Sequence, residues 1–583
     1  MSTPNGSAVS PPAPAEPLDP DTPAAPPDPA SPAAPTPPAA PTPPSDGRPL
    51  PVANPYTGEV DYQIVPPTPE ELTGTCDSLR AAQVKWAAAP LAHRVEVMLR
   101  WADELDAAYG PLSAADFTDT GGCLIALMSP RIVASSVRSW AADAAGVLDA
   151  AARSGTSSIM PSISFRTQLV PYPLVGVISP WNGPLMLSCL DPVPALFAGS
   201  AVIVKPSEVA PRFVDPLMDT IRAVPELAGV LTFIAGDGET GQRLIQQVDM
   251  LCFTGSVPNG RKVAVACAER LIPAYLELGG KDPAIVTATA DLDAAATAVL
   301  RGAAFGTGQV CFSVERVYVH ADVHDEFVDL LVRKADALRL NYPDINDGEI
   351  GPFGLDRQAR VADEQLADAL AKGAVLRAGG PSQVLGAELG VSGGHFMRPT
   401  VLTEVNHDML LMTEESFAPI MPVMRYQTDD EAIALANDTR YGLSASVIAG
   451  TPEEAAKLAE RVNAGTIALQ DTFLTLFKAR DVGTNSFADS GLGGDRTGPG
   501  SILRFLRKKA LMTQSAPPAP LPRPTTPPRY PAPLPRPTAA PAALAAPALP
   551  APLTRRTRPA RAPSPPAAPT SSALYPTFRK FQP

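Results

Sequence analysis

Cys311 is the residue whose type and setting most directly suggest covalent chemistry. It ends the glycine-rich segment Gly306-Thr-Gly-Gln-Val-Cys311. Glycines before a cysteine allow a loop to present the sulfur with little steric screening, as a nucleophile requires. An isolated cysteine is more often a small buried apolar residue. A role for Cys311 as a nucleophile therefore depends on the residues that accompany it.

A carboxylate that can act as a base precedes this cysteine in the chain. Glu277 stands between two leucines in Leu276-Glu277-Leu278-Gly279-Gly280-Lys281. An apolar setting raises the pKa of a carboxyl group toward the range that general base catalysis uses. The alternative interpretation is an exposed glutamate at the end of a secondary-structure element.

An amide and a set of polar residues follow earlier apolar runs. Asn182 ends Ser179-Pro-Trp-Asn182, and its amide can stabilise an oxyanion or cap the following helix. Lys205-Pro-Ser207-Glu208 offers a lysine and a carboxylate that can hydrogen-bond a ribose, and this carboxylate would repel a 2′-phosphate. Gly255-Ser256 enters a predicted helix whose amides favour a phosphate.

Short apolar runs alternate with helix-length segments through this part of the chain. Such continuous apolar strands predict a parallel sheet with helices on both faces, and its ligands bind at the carboxyl ends of the strands. The predicted strands are Leu174–Pro180, Ala201–Lys205, Val230–Ala235 and Met250–Thr254. Thr68-Pro-Glu-Glu71 predicts a capping box before a helix that runs toward Ala108, and Thr451-Pro-Glu-Glu454 predicts the same device.

Proline and charge are concentrated unevenly. Of the 70 prolines, 17 lie in residues 1–45 and 22 lie in residues 515–583. This composition predicts disordered tails over 1–48 and 515–583. The second tail carries nine basic and no acidic residues, whereas residues 1–514 carry 38 basic against 60 acidic ones. An acidic body argues against nonspecific binding to nucleic acid.

The tails have two interpretations that the sequence leaves open. The segment Ala-Pro-Leu-Pro-Arg-Pro-Thr occurs at 519–525 and again at 532–538. A repeat of this kind, extended as polyproline II, can bind a partner with an aromatic groove. It can equally be a solubilising spacer.

Other sequence patterns bear on where the protein is located in the cell and on whether it binds a metal. No run of about 18 apolar residues predicts a membrane span, and the N-terminus lacks the basic and apolar stretches of a secretory signal. The six cysteines form no Cys-x-x-Cys pair, and the five histidines form no His-Glu-x-x-His pattern. We therefore expect a cytoplasmic enzyme with reduced thiols and without a metal.

Taken in order, these motifs resemble the aldehyde dehydrogenase superfamily, and the likeness extends over roughly Asn54 to Leu511. The matching segments are Asn54-Pro-Tyr-Thr-Gly58, Pro180-Trp-Asn182, Lys205–Glu208, Phe253–Ser256, Glu277–Lys281, Gly308–Cys311, Glu414–Pro419 and Tyr441–Ser444.

The resemblance implies a role for each matched residue. Cys311 would be the nucleophile, Asn182 an oxyanion donor together with the Cys311 backbone N–H, and Glu277 the base. Lys205, Glu208 and Glu415 would hold riboses, Phe417 would pack near the nicotinamide, and Gly255 and Ser256 would border the pyrophosphate. The implied cofactor is NAD, with NADP possible, bound by Ser179, Pro180, Trp181, Lys205, Ser207, Glu208, Gly236, Gly255, Ser256, Leu278, Gly279, Glu415 and Phe417.

The resemblance also implies an α/β architecture with a Rossmann-type cofactor domain and an α/β catalytic domain. We expect the cofactor domain to comprise 49–155 and 173–276, and the catalytic domain to comprise 277–489. Segments 156–172 and 490–514 would be a small oligomerisation hairpin and bridge, because members of the family are usually dimers or tetramers.

The chain departs from the family pattern at three places. Gly183 follows Asn182 where many members have Phe, which favours a bulkier or aromatic aldehyde if this position lines the substrate tunnel. Ala418 replaces a Gly beside Phe417, so cofactor placement is expected to suffer slightly. The usual Pro-Phe-Gly-Gly segment is missing, so residues of the substrate mouth cannot be transferred.

Three functions compete at this stage. The first is oxidation of an aldehyde to a carboxylic acid with NAD(P)+, through a thiohemiacetal and thioester on Cys311 that water hydrolyses with Glu277 as base. The second is a CoA-acylating relative, which retention of Glu277 disfavours. The third is a catalytically silent scaffold whose proline-rich tails bind partners, which the intact Cys311, Glu277 and Asn182 disfavour.

Overall fold

The computed structural model describes residues 47–390, 395–474 and 482–517. The predicted tails over 1–48 and 515–583 lie outside the described residues, apart from residues 47–48 and 515–517.

Strands and helices alternate through the described residues, as an α/β fold requires. The strands are β1 Leu50–Ala53, β2 Val60–Ile64, β3 Ser154–Thr156, β4 Ile163–Pro171, β5 Leu174–Ile178, β6 Ala201–Lys205, β7 Leu231–Phe233, β8 Met250–Thr254, β9 Ala274–Glu277, β10 Asp282–Val286, β11 Val314–His320, β12 Val375–Ala378, β13 Thr400–Thr403, β14 Ile420–Tyr426, β15 Ser444–Ile448, β16 Thr466–Leu469, β17 Gly491–Leu492 and β18 Leu506–Gln514.

The helices vary from one turn to more than six turns. They are α1 Pro69–Ala88, α2 Leu91–Ala107, α3 Tyr109–Asp119, α4 Ser129–Ala151, α5 Pro184–Leu190, α6 Pro192–Ala198, α7 Val214–Arg222, α8 Pro225–Ala228, α9 Gly238–Ile245, α10 Val257–Glu269, α11 Leu292–Ala304, α12 His324–Asp336, α13 Asp356–Ala371, α14 Ser382–Leu389, α15 Leu410–Thr413, α16 Asp429–Asn437 and α17 Pro452–Ala459. Short 3-10 helices occupy Leu124–Leu127, Phe305–Gly308, Ala488–Ser490 and Ser501–Phe505.

The four predicted strands are β5, β6, β7 and β8, and they lie next to one another, with β7 at the edge, in a six-stranded sheet with the order β17-β9-β8-β5-β6-β7. All neighbours in it are parallel except β17, which pairs antiparallel with β9. Strands β5, β6 and β8 are almost wholly buried, because helices cover both faces. The prediction of a buried parallel sheet here is confirmed.

A second sheet of seven strands follows in the chain, with the order β12-β13-β14-β11-β10-β15-β16. Its strands are parallel apart from the edge pair β12–β13. Alternate residues of a strand point to opposite faces, and Ala284 and Val286 accordingly join one core while Ile285 joins the other. The assignment of one sheet to a cofactor domain and the other to a catalytic domain stays a prediction.

Two details of the expected domain boundaries differ from the structure. Glu277 is the last residue of β9 in the first sheet, so this strand ends one residue after the expected boundary. The expected bridge over 490–514 contributes to two sheets, because Gly491–Leu492 forms the edge of the first one and Leu506–Gln514 joins another.

That other sheet is antiparallel, with the order β18-β4-β3. Strand β18 pairs with β4 along its whole length, from Leu506 opposite Pro171 to Gln514 opposite Ile163. The hairpin that we expected at 156–172 is therefore β3 and β4 with the turn between them. Its role in forming dimers or tetramers stays a prediction.

Buried charge connects the last segment to the first sheet. Asp191 lies between α5 and α6 and accepts hydrogen bonds from the guanidinium groups of Arg496 and Arg504. Although burial disfavours a charge here, the two arginines lower the pKa of Asp191 below its usual range. The Arg496 side chain also donates to Thr254 Oγ1 at 2.9 Å, and so reaches the end of β8.

The helix starts follow the sequence motifs only in part. Thr68 and Glu71 form the predicted capping box, with Glu71 N–H donating to Thr68 Oγ1 at 3.2 Å and Thr68 N–H to the Glu71 carboxylate at 2.8 Å. Thr451 also caps its helix, but Glu454 accepts from Thr289 Oγ1 at 2.7 Å instead of completing the box.

The predicted helix that runs from residue 69 toward Ala108 is wrong in one respect. It is broken into α1 and α2 at Ala89 and Pro90. Proline has no N–H to continue the helix and disfavours helical geometry in the residue before it. Within the described residues, none of the helices is both long and apolar enough to span a bilayer.

Candidate active site

Cys311 lies in the loop between α11 and β11, at the amino end of the second sheet. Backbone turns of unusual geometry lead to it. Gly306, Thr307 and Gly308 all have left-handed φ values, between 57° and 70°. A Cβ on Gly308 would overlap the backbone of Ala418, so only glycine fits there. Thr307 adopts this costly conformation while its hydroxyl donates to the Gly351 carbonyl at 2.9 Å.

Asn182 meets this loop from the first sheet. It follows the carboxyl end of β5, and its Nδ2 donates to the carbonyl oxygen of Gln309 at 2.9 Å. Gln309 is itself fixed, because its side-chain amide donates to the Pro352 carbonyl at 3.2 Å and accepts from Gly354 N–H at 2.8 Å. An amide nitrogen carries two N–H donors. One of the two Asn182 N–H groups is therefore bound to the Gln309 carbonyl, two residues before Cys311 in the chain, and this bond fixes the orientation of the amide.

Glu277 approaches from the end of β9. Its carboxylate is half-buried and accepts a hydrogen bond of 2.7 Å from the hydroxyl of Ser486. Its carbonyl oxygen accepts from Gly255 N–H at 3.1 Å. A Cβ on Gly280 would lie 2.9 Å from the Cys311 carbonyl oxygen, so the segment after Glu277 runs directly against the loop that carries Cys311.

The charges around Cys311 show that these residues converge. The pKa of the Cys311 thiol is raised to about 12, first by burial and then, in decreasing order, by the carboxylates of Glu277, Asp282 and Glu415. Asp282 and Glu415 are themselves buried, which raises the pKa of each to about 8. The site therefore favours a neutral thiol until a neighbouring group accepts its proton.

This environment predicts the pH dependence of alkylation at Cys311. Only the thiolate reacts, and with a pKa raised to about 12 its fraction is small at neutral pH and increases with pH. We expect the rate of iodoacetamide labelling of the cofactor-free chain to rise about tenfold per pH unit between pH 7 and 10. Peptide mass spectrometry measures the label at Cys311, and Cys311→Ala shows the background. A rate that levels off below pH 8 would contradict the environment described.

A second loop, residues 414–419, lies beside Cys311 at the start of β14. Glu415 accepts a hydrogen bond of 3.2 Å from Gly280 N–H. A Cβ on Gly279 would overlap this carboxylate, so Gly279 leaves room for it. Phe417 has a left-handed φ of 50° and packs edge-on to Trp181, with 5.7 Å between ring centroids. The loop precedes β14 of the second sheet, and through Phe417 it contacts Trp181, which follows β5 of the first sheet.

A buried polar network holds this loop in place. The Glu315 carboxylate accepts from the N–H groups of Ser416 and Phe417, each at 2.7 Å, and pairs with Lys281 Nζ at 2.7 Å. Gln365 donates to the Glu415 carbonyl at 3.1 Å. Removing one partner of such a buried pair costs several kcal/mol, about 3–5 in typical cases. The backbone at Phe417 is therefore held in its strained conformation by its surroundings.

Several predicted cofactor residues lie together at the carboxyl edge of the first sheet. Lys205 ends β6 with its side chain buried, donating to the Gly236 carbonyl at 2.7 Å and to Glu208 at 3.3 Å. Glu208 leaves 43% of its side chain exposed. Ser207 Oγ accepts from Val209 N–H at 3.3 Å, and Ser179 Oγ bonds Ser188 Oγ at 2.6 Å.

The start of α10 completes this edge. Ser256 caps the helix by position, is exposed, and makes no side-chain hydrogen bond to the first turn. The N-terminal amides of a helix attract phosphate groups. Leu278 packs against Gly260 in the first turn, where a Cβ would overlap it. Pro180 follows Ser179 at the end of β5, next to Trp181 and Asn182.

The sequence did not single out several residues that position these groups. Ser486 bonds the Glu277 carboxylate across 209 residues, and Glu315 and Gln365 hold the loop at 414–419. Lys281 matched the family motif, but its pairing with Glu315 was not expected. One sequence signal could have revealed the ion pair. Glu315 lies within the apolar strand Val314–His320, and a glutamate that is buried in a strand is rarely left without a charged partner.

The structure also bears on two departures from the family pattern. The space beside Gly183 is taken by Leu187 and Met186, whose side-chain carbons would lie 3.3 and 3.8 Å from a Cβ there. The expected effect of Gly183 on the substrate stays a prediction. Ala418 is fully buried, and its methyl group is accommodated in a hydrophobic core.

Known proteins resemble the chain in both sequence and fold. The aldehyde dehydrogenase family profile matches residues 42–511. The "Putative succinate-semialdehyde dehydrogenase [NADP(+)]" of Mycolicibacterium smegmatis is 32% identical over 467 residues, which is 79% of this chain and 88% of that protein.

Two solved structures have the same fold. The structure of "Putative Aldehyde Dehydrogenase PutA" from Anabaena variabilis has 46% identity and a TM-score of 0.77, covering 81% of this chain and 99% of that one. Betaine aldehyde dehydrogenase from Staphylococcus aureus, in complex with NAD+, has 26% identity and a TM-score of 0.74, covering 81% and 92%. On the match of its sequence over both sheets, this chain belongs to the aldehyde dehydrogenase family.

Proposed function

We propose that the chain oxidises an aldehyde to a carboxylic acid with NAD(P)+, through a thioester on Cys311 that water hydrolyses. The observation that carries the proposal is the convergence of three groups from distant parts of the chain. Asn182 binds the segment that ends in Cys311, and Glu277 is the carboxylate with the strongest electrostatic effect on its thiol.

The first step is attack of Cys311 on the aldehyde carbon. The thiol first loses its proton to solvent, and the thiolate sulfur then forms a bond to the carbonyl carbon. The carbonyl oxygen becomes an oxyanion, for which the Asn182 amide and the Cys311 backbone N–H are donors. A fixed donor adds stabilisation in the transition state without a cost of reorganisation, and Gln309 holds the Asn182 amide in this way.

The carboxyl edge of the first sheet fits a dinucleotide. The uncapped first turn of α10 would hold the pyrophosphate, and Lys205 and Glu208 would hold a ribose. When bound, NAD(P)+ supplies the hydride acceptor that converts the adduct on Cys311 into a thioester. Phe417 and Trp181 pack edge-on and so connect the loop at 414–419 to the segment that follows β5.

The last step is hydrolysis of the thioester. Glu277 takes a proton from water, the resulting hydroxide adds to the acyl carbon, and the bond between that carbon and the Cys311 sulfur breaks. The hydroxyl of Ser486 orients the carboxylate through the bond to Oε2. Two steps with moderate barriers thus replace a direct attack by water on an unactivated carbonyl.

The proposal is tested by incubating the full chain with aldehydes and NAD+ or NADP+ and following absorbance of the reduced cofactor. Formation of the acid without any other acceptor supports it. Turnover that requires CoA and yields an acyl-CoA would instead make the protein a CoA-acylating enzyme. No oxidation of any aldehyde with either cofactor would overturn the proposal and leave a scaffold role.

The cofactor preference rests on Glu208. A carboxylate beside the ribose repels a 2′-phosphate, so this residue favours NAD+ over NADP+. We expect Glu208→Ala to raise the ratio of kcat/KM for NADP+ to that for NAD+ by about tenfold, or ~1.4 kcal/mol.

The matched control is Glu226→Ala, because Glu226 is in the same domain and has a similarly exposed side chain, at 41% against 43%. Both ratios are measured with one aldehyde at fixed ionic strength. An unchanged ratio in Glu208→Ala would show that its carboxylate does not lie near the 2′ position.

A further inference from the structure

We infer that the last turn of α3 is a shared support for the two loops that carry the proposed oxyanion donor and the proposed ribose site, with Asp116 holding the first loop and Asp119 the second. The inference rests on the proposed function and adds two positioning residues to it. Each acts through a loop and not by contact with the substrate or the cofactor.

Two buried carboxylates on one face of α3 are the feature that needs an explanation. Asp116 and Asp119 are three residues apart, so they lie on the same face of the helix, and they are 0% and 1% exposed. Aspartate is almost never fully buried unless it is paired. Asp119 is also the last residue of α3, where the helix dipole disfavours a negative charge. Each carboxylate therefore needs a partner outside the helix, and each has one.

Asp116 holds the start of α5. Its Oδ1 accepts a hydrogen bond of 3.2 Å from Leu185 N–H, across 69 residues of the chain. Helix α5 begins at Pro184, and its cap residue Gly183 has no side chain that could accept this N–H. Asp116 thus provides the oxygen that a capping side chain usually provides. Because Asn182 stands directly before Gly183, the contact that fixes the helix start also restricts the oxyanion donor.

The contact of Asp116 does not depend on its ionisation. Burial raises the pKa of Asp116 to about 7, so the group is partly protonated at neutral pH. A carboxyl group keeps an oxygen acceptor in both states. An asparagine amide offers the same acceptor, so Asp116→Asn should preserve what Asp116→Ala removes.

Asp119 holds the loop between β6 and α7. Its Oδ2 accepts from Arg212 N–H at 2.8 Å, and its Oδ1 accepts from the Arg212 guanidinium group. That guanidinium group also pairs with Asp61 of β2, and the Arg212 side chain is 11% exposed. Arg212 lies four residues after Glu208 in the same loop. Its main chain and its side chain are both fixed to α3, which restricts where Glu208 can lie.

The separate attachment of the two loops predicts separate kinetic effects. A buried N–H without an acceptor is costly, so each loop should shift when its carboxylate is removed. Asp116→Ala should lower kcat by about tenfold or more, because loss of a whole oxyanion donor lowers it about 10²–10³-fold, and should change the Kd for NAD+ by less than about twofold. Asp119→Ala should raise the Kd for NAD+ by at least about tenfold and lower kcat at saturating NAD+ by less than about threefold.

A cycle of double substitutions tests whether Asp116 acts through Asn182. In the Asn182→Ala background, Asp116→Ala should lower kcat by less than about twofold further, because the donor that it positions is gone. Asp116→Asn, which keeps the acceptor, should recover kcat to within about threefold of the unsubstituted value. An equal fall in both backgrounds would show that Asp116 does not act through Asn182, and the inference would be wrong.

The matched control is Asp249→Ala. Asp249 also accepts from a backbone N–H, that of Leu174 at 2.9 Å, and also pairs with an arginine, Arg80, but at the amino end of β5. Its substitution should change neither kcat nor the Kd. Circular dichroism shows whether each variant folds. Asp116→Val and Asp119→Val keep the side-chain volume without an acceptor, and they repeat the test if an alanine variant does not fold.

Isothermal titration gives the Kd for NAD+, and the absorbance assay gives kcat with an aldehyde that the unsubstituted chain oxidises. If Asp116→Ala and Asp119→Ala both change kcat and the Kd by similar factors, α3 has a general structural role and the inference is wrong. Binding of NAD+ needs no reaction. A chain that oxidises no aldehyde would therefore overturn the proposed function while the effect of Asp119→Ala on the Kd is still measured, so the two failures are distinguishable.

Discussion

Cys311→Ala is expected to lower kcat for aldehyde oxidation by at least about 10⁴-fold while NAD+ binds with unchanged affinity. The sulfur provides the only covalent attachment for the acyl group in the proposed mechanism. An alanine at this position removes the nucleophile but preserves the backbone N–H and the left-handed turn at residues 306–308. The predicted cofactor residues lie on the first sheet or on the loop at 414–419, so their geometry should persist.

Two measurements are needed for this prediction. Isothermal titration gives the affinity for NAD+, and the absorbance assay gives the rate with an aldehyde that the unsubstituted chain oxidises. The control is Cys76→Ala, which removes a buried thiol from α1, away from the site. Residual oxidation by Cys311→Ala within tenfold of the unsubstituted rate would exclude a thioester at this residue.

Glu277→Gln should separate the two halves of the reaction. Glutamine has nearly the same shape, and its side-chain oxygen can still accept the hydrogen bond from Ser486. It cannot accept a proton from water, so hydrolysis of the thioester should become rate-limiting. We expect kcat to fall by about 10²–10⁴-fold, the usual contribution of general base catalysis.

A rapid-mixing experiment shows which half has slowed. If Glu277 acts mainly in hydrolysis, the variant should release one equivalent of reduced cofactor per site quickly and then turn over slowly. Hydroxylamine attacks a thioester without a base, so it should restore turnover and form a hydroxamate. A linear time course at the unsubstituted rate would refute the role of Glu277, and loss of the burst would shift its role to the first step.

The two sheets explain why the site can combine these functions. Asn182 and Glu277 follow carboxyl ends of the first sheet, where parallel strands usually place their ligand-binding residues. Cys311 and the loop at 414–419 precede β11 and β14, at the amino end of the second sheet. The proposed reaction centre therefore lies where the carboxyl end of the first sheet meets the amino end of the second, and neither sheet alone holds Asn182, Glu277 and Cys311.

Local features of the fold were predictable from the sequence because they depend on neighbouring residues. The runs at 174–180, 201–205 and 250–254 became strands nearly at the predicted bounds, since buried parallel strands have a continuous apolar pattern. The capping box at Thr68 formed because its partner is three residues away. The break at Pro90 was also a local feature, but the helical periodicity on both sides obscured it.

The sequence by itself determined which residue types and motifs the site would use, and through the family match it determined the fold. Only the tertiary structure decided how these groups act on one another. Ser486 reaches Glu277 across 209 residues, Asn182 reaches the Gln309 carbonyl across 127, and Gly280 reaches Glu415 across 135. The raised pKa of Cys311 arises from approaches of this kind. Burial and electrostatic interactions depend on distance in space, which local sequence patterns do not specify.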